Sequence, residues 1–269
     1  MTAMRQTTYT VKAYNLSHAS ENKIHDDSIA KKLGFTGGLV PGVEVFAYAT
    51  HPVVAKYGRA WLERGRMEAR FFKPLYDGHM ATVTATESGD ALELKLESDS
   101  VLCATGTASM GGAGAAAPAL SGYQRQLAPA LDKRPPADET SLAEGTVLCT
   151  EPIVLTAERS AEYLKDVREA NVLFAREGIA HPGLLLRLCN SALRENVKLA
   201  PWVHTGSKVQ NFALARVGDA LSARGRVVQN YERKGHRLVD IDIVLVANDK
   251  TVLAHVLHTA VYKLRHLSG

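Results

Sequence analysis

Two stretches of the chain are apolar almost all round, and each opens on a Pro-Gly step: "LVPGVEVFAYA" at 39–49 and "AHPGLLLRLCN" at 180–190. A helix that is apolar on every side belongs inside a core rather than on a surface. Alternation follows each of them. Met67, Ala69 and Phe71 interleave with Arg66, Glu68 and Arg70; after a turn at Ser88-Gly89-Asp90 and the following residue, Leu92, Leu94 and Leu96 interleave with Glu93, Lys95 and Glu97. Farther on, Val239, Ile241, Ile243 and Leu245 alternate with Asp240 and Asp242, and a turn at Asn248-Asp249 leads into the run Val252 to Tyr262. A period of two with tight turns predicts antiparallel strands, one face buried. A buried helix wrapped by a curled antiparallel sheet, occurring twice, is an α+β arrangement.

The two halves read as an internal repeat. Gly37 and Gly178, Gly42 and Gly183, Trp61 and Trp202, and Phe71 and Phe212 are all 141 residues apart, without gaps. Self-similarity at a fixed offset is the mark of duplication. Between them, "MGGAGAAAPALSGYQRQLAPALDKRPPADET" at 110–140 has no period of 2 or 3.6 and has linker composition. The expected organisation is a unit over 1–112, a linker over 113–140 and a second unit over 141–269.

Composition narrows the function classes. The 269 residues can bury a real core, and 46% apolar with 22% charged residues is ordinary for a globular protein. A net charge of +4 suits a small anionic ligand as readily as a merely solvated surface. No Lys/Arg run with interleaved aromatics favours nucleic acid. Cys103, Cys149 and Cys189 stand far apart in apolar contexts, as small buried hydrophobes of a reducing compartment rather than a disulfide framework. His255 and His258 would face opposite sides of a strand, so no metal site is expected from them. No signal-peptide-like run and no apolar run of membrane length occurs, so a cytoplasmic protein with no membrane partner is expected.

The stretch "HASENKIHDDSIAKKLGFTGGLVPGV" at 18–43 concentrates an imidazole, an amide, carboxylates and a Pro-Gly step. Helix capping accounts for Asp26 and Asp27. It does not account for the spacing Asn22-x-Ile24-His25. That spacing resembles the MaoC-like family of (R)-specific enoyl-CoA hydratases and dehydratases, whose signature is Gly-Asp-x-Asn-Pro-(aliphatic)-His, then a small residue and a Gly opening the central helix. Asn22, Ile24, His25, Ala30 and Gly42 match. The family's Gly, Asp and Pro fall at Ala19, Ser20 and Lys23, and the second half lacks the signature, with Tyr163 to Asp166 at the repeat offset.

The resemblance implies a double hotdog fold and a lyase of fatty acid metabolism. Its substrate would be a 2-enoyl-CoA or 3-hydroxyacyl-CoA thioester, with acyl-CoA or an acyl-carrier thioester as partner and no cofactor beyond the substrate's coenzyme A. Two copies could form a homodimer. His25 would be the acid/base, with Asn22, Ser20 and Glu21 beside it; Gly42 and Val43 would offer backbone N–H groups to the thioester oxygen, and Thr50 would line the pocket. With Ser20 where the carboxylate belongs, activity on simple enoyl-CoAs is expected to be weak or confined to an unusual substrate, and, if the missing carboxylate is the limit, Ser20→Asp should raise it. Two alternatives stand beside this reading: a hotdog thioesterase using Glu44, and an acyl-thioester binder without catalysis. Cations available for the nucleotide phosphates include Arg59, Arg64, Arg66, Arg70, Lys73, Arg187, Lys208, Arg224 and Arg226.

Overall fold

The computed structural model describes residues 5–17, 20–112 and 115–265; Ala19, aligned above with a family glycine, lies outside them. Alternation in the first half becomes β1 (Gln6–Lys12), β2 (Gly65–Phe71), β3 (Met80–Ser88), β4 (Ala91–Ser98) and β5 (Val101–Met110). Between β1 and β2 lie α1 (Asp27–Lys32), α2 (Gly42–Tyr57) and α3 (Arg59–Arg64). The second half repeats the plan with β6 (Val147–Cys149), β7 (Ile153–Val154), α4 (Ala157–Asp166), α5 (Val172–Glu177), α6 (Pro182–Asn196), β8 (Val203–Asn211), β9 (Ala220–Arg233), β10 (His236–Ala247) and β11 (Thr251–Lys263).

The strands form a single antiparallel sheet in the order β1-β3-β4-β5-β2-β8-β11-β10-β9-β6, with β7 paired to β9. Read outward from the β2–β8 seam, the order is the same on both sides. At the seam Arg66 faces Gln210, Glu68 faces Lys208 and Arg70 faces Gly206. The alternating apolar positions of each strand face the helices: Met67, Ala69, Leu92, Leu94, Leu96, Val239, Ile241, Ile243 and Leu245 are all buried.

The backbone repeat is one residue shorter than the sequence matches suggest. The bridge Leu39–Tyr76 recurs as Ile179–Arg216, and the left-handed Gly78 recurs as Gly218, each at an offset of 140. Consequently Pro41 is the N-cap of α2, whereas Pro182 is already inside α6 and His181 takes the cap position. The recurring Pro-Gly step therefore marks both helix starts without being their structural equivalence.

Helix α2 is buried on nearly all sides, including the polar Glu44 and Thr50. It lies against α6 so closely that a Cβ on Gly183 would sit 2.5 Å from Ala47 Cβ and 2.3 Å from the Tyr163 hydroxyl. The Glu44 carboxylate pairs with Arg187 across the same contact. Burial raises the Glu44 carboxyl and the Arg187 charge opposes the rise. Residues 115–140 run over the second half: Tyr123 donates to Asp242 (3.0 Å) and Arg125 pairs with Asp249 (2.6 Å). Among the described residues no helix is long and apolar enough to cross a membrane.

Gly183→Val should be strongly unfavourable, because the helices have to separate to admit it. Overpacking of this kind costs about 1–3 kcal/mol, which thermal unfolding would read as a fall of several degrees in Tm.

Candidate active site

The loop before α1 is stitched down from several directions. Asp26 caps α1 by accepting from Ser28 and Ile29 N–H, and Asp27 Oδ1 accepts from Gly38 N–H (2.7 Å). Asn15 Nδ2 donates to the His25 carbonyl (2.8 Å), and Leu39 N–H donates to the Ile24 carbonyl (3.3 Å). The imidazole of His25 is thereby held at the beginning of α2.

Backbone partners settle the protonation pattern. His25 Nδ1 lies 2.7 Å from the Leu39 carbonyl. A carbonyl only accepts, so Nδ1 carries the hydrogen and Nε2 keeps its lone pair. Asn22 is oriented just as firmly: Trp202 N–H donates to its Oδ1 (3.3 Å), and its Nδ2 donates to the Trp202 carbonyl (3.0 Å). The second Nδ2 hydrogen points at His25 Nε2, 3.3 Å away. Burial pushes His25 below the usual histidine range; the Leu39 bond works against this, and the Arg187 charge adds to it. His25 is thus a neutral base at neutral pH.

The start of α2 is open. Its N-cap, Pro41, supplies no side-chain acceptor. Glu44 and Val45 N–H reach the Pro41 carbonyl at 3.0 and 3.1 Å, which leaves Gly42 and Val43 N–H without an intrahelical partner. The start of α6 is closed instead. His181 Nδ1 accepts from Gly183 N–H (3.1 Å), and its Nε2 faces Glu169 (3.2 Å), which also bonds His51 (2.7 Å). Burial by itself would raise the Glu169 carboxyl, but those two histidine bonds hold it at about 2.

A cavity of about 30 Å³ joins these groups, lined by Asn22, Ile24, His25, Leu39, Pro41 and Gly42 from the first half and by Asn190, Trp202, Val203 and His204 from the second. Of the residues expected from sequence, Asn22, His25 and Gly42 meet here. Ser20 does not line it; its hydroxyl donates to the Asn22 carbonyl (3.3 Å). Glu21 is exposed and lines not this cavity but the adjoining one, beside Arg134, Arg194 and Lys198. Val43 is buried without lining the cavity, and Thr50 donates to the Ala47 carbonyl (2.7 Å) farther along α2. Glu44 is confined to the α2–α6 contact by Arg187 and does not line it either.

Sequence reasoning missed Asn190, Trp202 and His204, since nothing in one strand of polar and apolar residues marks them. It also missed the cations Arg134, Arg194 and Lys198. These line an adjoining cavity of about 150 Å³ that shares Asn22 and Trp202 with the first. Arg194 pairs with Glu195 (3.8 Å), and several cations named from sequence are likewise held in ion pairs: Arg59 with Glu63, Arg70 and Lys208 with Glu68, Arg187 with Glu44, Arg224 with Asp249, and Arg226 with Asp242.

No protein-family model matches the chain, and no curated protein matches it by sequence. Solved structures match it over nearly its whole length. One described as a MaoC domain protein dehydratase from Chloroflexus aurantiacus J-10-fl superposes with a TM-score of 0.65 at 11% identity, covering 97% of this chain and 95% of that one. A conserved Mycobacterium tuberculosis protein with a double hotdog fold gives 0.65 at 13% identity, covering 97% and 96%. The dehydratase domain of PpsC from Mycobacterium tuberculosis, solved with C12:1-CoA, gives 0.56 at 12% identity over 96% and 94%; chains described as thioesterases share the fold as well. At these identities the likeness establishes the fold: this chain is a double hotdog.

Folding forces several imidazoles to stay neutral, and this sets an acid limit. His204 is held at about 3 by burial, against its bond to Gly206, and His258 lies well below the ordinary 6.5 through burial and the nearby His204. With His25 they bind protons more weakly folded than unfolded, so their contribution is complete above about pH 6.5 and is lost as the pH falls below it. The urea midpoint should hold steady from about pH 8 to 7 and drop between about 6.5 and 5, before most carboxylates titrate. A midpoint unchanged down to about pH 5 would mean these rings are charged in the fold.

Proposed function

We propose that the chain is a MaoC-like hydratase/dehydratase acting on acyl thioesters, adding water to a 2-enoyl thioester or removing it from a 3-hydroxyacyl thioester. The observation that carries this reading is the pairing, in one cavity, of a neutral His25 with the uncapped start of α2. Hydration of an enoyl thioester needs a group that moves a proton to C2 and donors for the negative charge that develops on the thioester oxygen. His25 Nε2 suits the first task and the Gly42 N–H suits the second, helped by the positive end of the helix.

In the hydration direction, water oxygen forms the bond to C3 and the C2–C3 π pair moves toward the thioester carbonyl. A water proton passes to His25 Nε2 and from there to C2, so the net change is addition of one water. The reverse path removes it. Asn22 holds the imidazole in register with the second half, and its long 3.3 Å bond yields Nε2 to the incoming proton.

Arg134, Arg194 and Lys198, beside the shared Asn22 and Trp202, suit the phosphates of coenzyme A or of a phosphopantetheine carrier. A thioesterase reading needs a carboxylate that reaches the thioester carbonyl, and the position of Glu44 against Arg187 gives it no support. The position of Ser20 also revises the expectation for Ser20→Asp: a carboxylate there starts outside the cavity, and no gain in rate is expected.

His25→Ala should cut hydration of crotonyl-CoA by about 10²–10⁴-fold, read from the enoyl absorbance at a temperature where the variant's circular dichroism shows it folded. Steady release of free thiol from the same substrate, indifferent to His25→Ala, would point to hydrolysis at another group.

A further inference from the structure

Behind the cavity stands a buried polar chain that the reading above does not use. His204 Nε2 lies 3.0 Å from the Gly206 carbonyl and 2.9 Å from Ser207 Oγ. Ser207 Oγ lies 2.9 Å from His258 Nδ1, and His258 Nε2 lies 3.1 Å from Asn190 Oδ1. The two imidazoles stack with centroids 4.1 Å apart. A slip in register between Gly206 and His204 on β8 permits this: the pairing with β11 jumps between Thr259 and Ala260, which brings His204 and Ser207 inward together although they are three residues apart.

The hydrogens in this chain run one way. The Gly206 carbonyl can only accept, so His204 Nε2 carries the hydrogen. Ser207 then donates to His258 Nδ1, and His258 Nε2 donates to the Asn190 oxygen. His204 Nδ1 is left as a lone pair, fully buried and with no hydrogen-bond partner. It faces the start of α2, where a Cβ on Gly42 would sit 2.8 Å from it. A buried acceptor left unpaired costs free energy unless a ligand or water donates to it.

We propose that His204 is a second catalytic histidine, supplied by the second half, whose Nδ1 accepts an O–H from the attacking water or from the 3-hydroxyl of the substrate. The inference rests on the acyl-thioester reading above. Water has two hydrogens, and the cavity is lined by two imidazoles that each keep a lone pair: His204 Nδ1, which has no partner, and His25 Nε2, whose long bond from the Asn22 amide a water would replace. A water that donates to both directs its own lone pair at C3; the proton shared with His25 goes on to C2, while the hydrogen bonded to His204 remains on the new hydroxyl. The cavity's 30 Å³ is enough for one water. In this arrangement His204 fills the water-holding role for which Ser20 offers no carboxylate, and Ser207, His258 and Asn190 fix its tautomer.

The test compares binding of butyryl-CoA and 3-hydroxybutyryl-CoA by calorimetry, together with the rate of crotonyl-CoA hydration. Wild-type protein should prefer the hydroxylated thioester by roughly fivefold to tenfold, the worth of one neutral hydrogen bond. His204→Gln carries an amide near the Nε2 position without an acceptor at Nδ1; it should lose that preference and at least tenfold in kcat, with butyryl-CoA affinity unchanged. His204→Asn, with its oxygen near the Nδ1 position, should keep most of both. If His204→Gln fails to fold, Ser207→Ala, which removes only the backing hydroxyl, should show the same loss in smaller measure. Equal wild-type affinity for the two thioesters would overturn the role of His204 and leave the thioester reading intact. So would an equal loss of rate and of butyryl-CoA affinity in both His204 variants, the pattern of a structural residue. Failure of wild-type protein to bind either thioester would overturn the acyl-thioester reading itself, and this inference with it.

Discussion

Antiparallel pairing of β2 with β8 is the contact on which the rest of the molecule depends. It joins two half-sheets into one curved surface, sets α2 against α6, and slides the beginning of β8 beneath the start of α2. Without that seam Asn22 would have no Trp202 backbone to grip, and the cavity would lose its second wall.

Duplication supplied two similar frames, and the frames diverged at the helix starts. In the first half Pro41 cannot cap α2, which leaves Gly42 and Val43 N–H without an intrahelical partner, and Gly42 lines the same cavity as His25. In the second half His181 caps α6 with its own side chain and is itself locked by Glu169. A free helix N-terminus attracts developing negative charge, and a capped one does not. The open helix start, and with it the proposed chemistry, thus lies at one end of a nearly symmetric body, while the other half contributes walls, hydrogen-bond partners and the buried His204–Ser207–His258 chain.

Polar burial on this scale has a thermodynamic cost as well as a use. His204, His258 and His25 are kept neutral by desolvation, so each is an acceptor or donor with a defined tautomer rather than a freely titrating group. Fixed tautomers leave each ring one donor and one lone pair, and two such rings, His25 and His204, line one small cavity. A charged pair in the same place would repel and would demand solvent.

The fold was legible in the sequence because periodicity reports burial directly: the all-apolar stretches after Pro41 and Pro182 and the two-residue alternation around Met67, Leu94 and Ile241 all arise from positions facing one core. The spacing Asn22-x-Ile24-His25 could be read as well, since it is local, and the loop around it is held by short-range caps such as Asp26. The one-residue difference between the sequence offset and the backbone repeat was not legible, because the recurring Pro-Gly step slides within the first helical turn without disturbing the sheet. Nor could the sequence place Ser20 and Glu44 outside the cavity, or bring Trp202, His204 and Asn190 to His25 from well over a hundred residues away. Those choices belong to tertiary structure: they depend on strand register, on a slip in the β8 pairing and on which face of a helix meets its neighbour, and pairings between distant segments leave no mark on either segment alone.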